Sequence, residues 1–253
     1  MINFMKNILI VLLLLSSIAL FGQEMPSDSL ILKTIYGKTD IGGESYTCEY
    51  LGENIVSSYQ DSLVFQIVFK SEVNLNNNDY ILAILKARYG TQHGHQFGYE
   101  DLYFLKTVQG ELELVDSIKS EFGVIGDESI YDIVDIGKNK KALISTFQSI
   151  GNQQFYRTES IQLLELNKLM NLFSVEKYSD LAWNLPASEN DDCNATSYEE
   201  TFEIVTNDSD WYDIKVHRVE YGFTKGCEDS FVISESDKEY KYINGEYVEK
   251  TNE

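Results

Sequence analysis

Proline is almost missing from this sequence. Pro26 and Pro186 are its two examples, so little interrupts an extended chain. Basic residues are scarce as well: 20 Lys and Arg stand against 41 Asp and Glu, a formal net charge of -21. Such a surface repels nucleic acid and anionic membranes and favours solubility. Apolar runs long enough to cross a bilayer as a helix, which takes ~20 residues, are absent after the first two dozen positions. The phosphate-cradling patterns GxxxxGK[ST] and GxGxxG do not occur, and no Ser is framed as G-x-S-x-G. Phosphate-binding and nucleophilic enzymology therefore lack a motif. The abundant acids make carboxylate pairs by chance, and none is marked out as an acid–base couple.

What is present points to strands and export. Seventeen Tyr and 13 Phe accompany many Ile, Val and Thr, with Gly and Asn scattered between. That composition belongs to strands and turns. The chain opens MINFMKNILIVLLLLSSIALFGQ. Lys6 precedes an apolar run from Ile8 to Leu15, followed by small residues and a cut site near Gly22. This is the pattern of a secretory signal peptide over residues 1–22. A mature all-β domain is expected over 23–253, periplasmic or extracellular, with no membrane span after cleavage.

Three cysteines remain, Cys48, Cys193 and Cys227. An odd number in an oxidising compartment leaves one thiol over. Cys193 with Cys227 is the preferred pair, since both sit in polar loops of one C-terminal unit. Cys48 lies in SYTCEYL, a strand-like run, and reads as a small buried hydrophobe.

Self-similarity organises the rest. Units over 63–115, 130–175 and 202–248 each read as a four-stranded antiparallel meander. Their central strands are Tyr80–Leu85, Ala142–Phe147 and Tyr212–His217, starting 62 and 70 residues apart. Gly90, Gly151 and Gly222 follow those starts at nearly constant distance. Third strands are expected at Leu102–Leu105, Ile161–Leu166 and Phe231–Ser234. Fourth strands are expected at Glu111–Val115, Met170–Val175 and Glu246–Val248. Asn- and Asp-rich turns join the first two strands of each unit, because these residues tolerate left-handed backbone. Asn244-Gly245 suits a tight hairpin with both central residues at positive φ. Residues 31–60 read as a partial unit, with Ile31–Gly37 as its second strand. Such a half-unit can complete the last one and close a ring. Residues 166, 169, 170 and 173 would share a helix face, but analogy with the other units favours a hairpin there. Residues 187–201 read as an acidic loop. The expected architecture is a small or incomplete β-propeller, with a β-sandwich as the alternative.

The joins between first and second strands, YDIVDIGKNKKALIS above all, then VNLNNNDYILAIL and IVTNDSDWYDIKV, resemble FG-GAP or VCBS repeats. These form the blades of integrin-type β-propellers and occur in many exported bacterial proteins. In that family the loop holds Ca²⁺ through oxygen donors. Here the first of these loops carries Asp135 beside Lys138, Lys140 and Lys141, so the resemblance places calcium only at Asp208, Asp210 and Asp213.

His93-Gly94-His95 is the one His-x-His pair. Both rings would share a side of a strand and could hold zinc with a third ligand, which gives a metal-dependent hydrolase as the competing function. The glycines at 94 and 98 favour a loop. His217 alternates with Ile214 and Val216 and is expected on an outer face. Aromatics in presumed loops (Phe97, Tyr99 and Tyr103; Phe155 and Tyr156; Trp211, Tyr212, Tyr221 and Phe223) suit protein or carbohydrate contact, or pack between sheets. The resulting expectation is a non-enzymatic binding or interaction module with an unknown protein or carbohydrate ligand in its inter-strand loops. A structural surface component is the third possibility.

Overall fold

The computed structural model describes residues 24–37, 63–90, 96–120, 123–125, 129–151, 154–180 and 192–251. The chain divides into two compact units, Met1–Thr39 and Asp40–Glu253. The first contributes α1 (Asp28–Tyr36). This corrects the strand expected at Ile31–Gly37. Ser27 takes an extended conformation and its hydroxyl accepts the N–H of Leu30 at 3.3 Å, which satisfies a donor the first helical turn leaves free. Gly37, at φ 69°, ends the helix and returns its N–H to Lys33, as a left-handed cap does. Capping at both ends decides between helix and strand for so short an apolar run. The remainder of the partial unit, with Cys48, lies outside the described residues, as do residues 1–22.

Among the described residues, the second unit is built from antiparallel meanders. β1 (Leu63–Leu75), β2 (Asn78–Gly90), β3 (Gln96–Val108) and β4 (Glu111–Ile118) pair in sequence order, and the short β5 (Gly123–Ile125) pairs with β3. The second sheet runs in order through β6 (Ser129–Gly137), β7 (Lys140–Gly151), β8 (Gln154–Glu165), β9 (Lys168–Ser179), β10 (Ser197–Val205), β11 (Asp213–Phe223), β12 (Ser230–Ile243) and β13 (Glu246–Glu249). The three expected four-strand units are present. Leu166–Ser179 is hairpin, not helix, turning at Asn167 with φ 56°. Asn244 and Gly245 turn at φ 53° and 105°, the pair of positive angles such a turn requires. Ser197–Thr201 belongs to β10 and not to the acidic loop. Its alternating Tyr198, Glu200 and Phe202 line one face and find partners there, which polarity alone conceals. Residues 187–191 lie outside the described residues.

The middle meander, β6–β9, is buried on both faces. Leu143 and Leu164, with Tyr131 and Ile133 beside them, join Leu82, Ile84 and Phe104 of the first sheet in one core. Ile136, Ala142, Ile161 and Val175, from the opposite face, join Ile214, Val216 and Tyr247 in a second. Alternation of side chains along a strand produces this two-sided layer, and each fully buried Leu or Ile in it contributes about 2 kcal/mol. Three meanders are thus stacked face to face in chain order. Trp211 stacks on Tyr242 at 3.7 Å between ring centres, closing the second core at its rim.

Polar staples mark the two seams. Between the first and second meanders, the Glu100 carboxylate accepts bonds from buried Lys86 at 3.3 Å and from Ser129 Oγ at 2.9 Å, both with Oε1, and from the Tyr131 hydroxyl with Oε2. Between the second and third, β9 and β10 pair only at Ser179–Ser197, Tyr178–Tyr198 and Lys177–Glu199. Cys193 and Cys227 form a disulfide with Cα atoms 5.2 Å apart, within the usual span. It ties the approach to β10 to a single 3₁₀ turn, Lys225–Cys227, that follows β11.

Candidate functional site

Strand β12 differs from every other long strand. Its sequence, Ser-Phe-Val-Ile-Ser-Glu-Ser-Asp-Lys-Glu-Tyr-Lys-Tyr-Ile over Ser230–Ile243, pairs with β11 from Ser230–Phe223 to Tyr240–Ile214. On its other edge β13 covers only Tyr240–Ile243. The last bond on that side runs from the N–H of Lys250 to the carbonyl of Glu239 at 2.7 Å. Among the described residues, no strand lies against the outer edge from Ser230 to Lys238. All ten side chains of Ser230–Glu239 are exposed.

The apolar part of that edge is Phe231, Val232 and Ile233, exposed by 53 %, 49 % and 63 %. Large apolar groups left open together on a strand edge mark an interaction surface or an aggregation hazard. Their placement depends on Gly222, opposite Phe231 in register. A Cβ at Gly222 would lie 2.8 Å from the Phe231 ring and 3.0 Å from Ile233 Cδ1, so the ring lies across a strand with no side chain beneath it. A bulge at Ile233 shifts the register with β11 between Val232 and Ser234. It adds local twist, as edge bulges do. The following residues are charged: Glu235, Asp237 and Glu239 against Lys238.

A groove of about 310 Å³ adjoins this edge, lined by Thr201, Phe202, Glu203, Lys215, His217 and Asp237. His217 is exposed on an outer face, as its alternation implied. Its Nδ1 lies 2.8 Å from Asp237 Oδ1, and Lys215 Nζ lies 3.5 Å from the other oxygen. The hydrogen bond from His217, helped by Lys215, holds the Asp237 carboxyl below its ordinary range.

The sequence-predicted residues fall elsewhere. His93 and His95 lie outside the described residues. Asp208 and Asp210 are exposed in the loop between β10 and β11. That loop engages β6 through its backbone: the Lys138 ammonium donates to the Asp208 carbonyl, and the Lys138 N–H to the Asp210 carbonyl at 3.1 Å. Asp213 is paired with Lys250 Nζ at 3.0 Å. Among the described residues, no three His, Cys, Asp or Glu side chains gather as a metal-binding group. The aromatics assigned to loops lie mostly on strands. Tyr99 and Tyr103 are buried in β3, and Tyr156 and Tyr178 are in register across β8 and β9, with Tyr198 continuing the row on β10. Among the described residues, no helix is long and apolar enough to cross a membrane.

No family model, no curated protein and no solved structure matches the chain.

Proposed function

We propose that this protein is an exported, non-enzymatic binding module whose ligand seats on the third meander. One observation carries this reading: the exposed Phe231, Val232 and Ile233 on a strand edge without a partner among the described residues. The contact surface is then an edge of the sheet and the groove beside it rather than the inter-strand loops. The apolar N-terminal run and the Cys193–Cys227 disulfide suit an oxidising, extracytoplasmic location. We read the three stacked meanders as blades of a small or incomplete β-propeller, akin to FG-GAP or VCBS repeats. The face-to-face packing of successive meanders supports this over a two-layer sandwich.

The full-length exported chain, purified and assayed against generic esterase, phosphatase, glycosidase and peptidase substrates, tests the non-enzymatic part. No turnover and no stoichiometric zinc are expected. Zinc bound at one per chain, lost together with turnover in His93→Ala and His95→Ala, would show a metal-dependent hydrolase instead.

A further inference from the structure

We infer that the free edge of β12 takes an extended peptide as an added antiparallel strand, with Lys or Arg at alternate positions followed by apolar residues. The inference rests on the binding-module reading and names its partner. Among the described residues, the backbone of this stretch has no partner on its outer side from Ser230 to Lys238, one bond short of Lys250 at Glu239. Main-chain bonding to a sheet edge supplies affinity, and alternate side chains supply specificity. A strand laid antiparallel here continues the line that β13 begins.

Charge selects the occupant. Glu235, Asp237 and Glu239 recur at every second position and project to one side of the strand. Asp237 is shared with His217 and Lys215, Glu239 with Lys250, and Glu235 makes no ion pair among the described residues. Phe231–Ile233 offer an apolar end. The partner therefore needs a cation opposite Glu235, with flanking cations at a spacing of two that share Asp237 and Glu239, then β-branched or aromatic residues. A second copy of this chain is disfavoured, because each carries -21 and would set acidic stretches against one another. The chain's own residues 38–62 fit poorly for the same reason: Lys38 stands alone against Asp40, Glu44, Glu49, Glu53 and Asp61. Like charges placed across an interface penalise a wrong partner.

The test uses the full exported chain and a synthetic nonapeptide, capped at both ends. Thr and Lys alternate in its first half, and Val and Ile fill its second. Two control peptides carry Glu in place of Lys, or N-methyl groups at alternate residues. Binding is followed by titration calorimetry and by amide hydrogen exchange. The Lys peptide is expected to bind and to slow exchange across Ser230–Lys238, and the N-methylated peptide to do neither. Glu235→Lys, a substitution on an exposed side chain, should weaken the Lys peptide about tenfold and strengthen the Glu peptide. Absence of binding at millimolar peptide overturns the inference. So does protection mapped to another segment, an edge already protected in the free chain, or dimerisation that protects it. Peptide binding elsewhere overturns the edge assignment alone. Turnover of hydrolase substrates, assayed separately, overturns the reading beneath it.

Discussion

The Glu200 carboxylate accepts the main-chain N–H of Glu176 at 3.1 Å. It sits one position beyond the last β9–β10 pair, Lys177–Glu199, where the two strands part. A side chain thus replaces the missing rung of the ladder. Its other oxygen takes Arg218 at 3.1 Å, and the Glu176 carboxylate takes the hydroxyls of Tyr156 at 2.6 Å and Tyr198 at 2.9 Å. Glu200→Ala leaves that N–H without its acceptor and leaves Arg218 bonded to Glu220 alone. It should cost about 1–2 kcal/mol in urea unfolding, with Glu200→Gln intermediate. An unchanged midpoint in the alanine variant would remove Glu200 from the account of the seam.

Alkaline pH should open the same seam. Burial, then the bond to Glu176 and its charge, raises the Tyr198 phenol from 10.0 to about 12. The folded state therefore favours the neutral phenol. This contribution is fully present below pH 10, where the unfolded chain also keeps its proton, and is lost as pH rises towards about 12. The thermal midpoint of the native protein is expected to fall across that window, together with the appearance of tyrosinate absorbance. Tyr198→Phe should flatten the fall. A midpoint independent of pH there, in both proteins, would contradict the bond to Glu176.

Gly137 joins the end of β6 to the approach to β11. A Cβ at this position would lie 2.3 Å from the Asp210 carbonyl oxygen and 3.1 Å from Trp211 Cα, both backbone atoms. The Tyr212 N–H to Ile136 carbonyl bond, at 3.0 Å, depends on the same closeness. Gly137→Ala should destabilise by about 1–3 kcal/mol, the range for overpacking a filled site. Thermal or urea unfolding measures it, and a neutral alanine would mean the two segments are not in contact.

Reduction of Cys193–Cys227 frees a loop closed over a sequence separation of 34. The chain-entropy relation puts the loss at about 4 kcal/mol. Cys193→Ala with Cys227→Ala should lower unfolding stability accordingly, and limited proteolysis should cut first near residue 193. Equal stability with and without reductant would show that the bond does not constrain the third meander.

The strands and turns were legible because their signals are local. Asn244-Gly245 fixes a turn by its own backbone preference. The apolar runs of the middle meander, such as Ala142-Leu143-Ile144, are continuous, as a strand buried on both sides requires. Three things were hidden for physical reasons. The helix at Asp28–Tyr36 depends on caps at Ser27 and Gly37, which outweigh the Ile, Leu and Tyr that read as strand. Ser197–Thr201 joins β10 through partners on neighbouring strands, invisible in its polar composition. The edge of β12 was found as a third strand at Phe231–Ser234, but exposure is a property of what lies beside a strand. Nothing in Phe-Val-Ile states that β13 stops at four residues and that, among the described residues, no strand covers the rest. The calcium reading at Asp208, Asp210 and Asp213 rests on the resemblance to calcium-binding repeats, and the carbonyls of Asp208 and Asp210 accept bonds from Lys138.

Amide hydrogen exchange of the free protein tests the central claim most directly. An unpaired edge should let outward-facing amides of Ser230–Lys238 exchange far faster than those of Lys215–Val219 in the middle of β11, which is paired on both sides. Exchange as slow in β12 as in β11, over the whole stretch, would mean that the edge is already occupied and that the binding surface lies elsewhere.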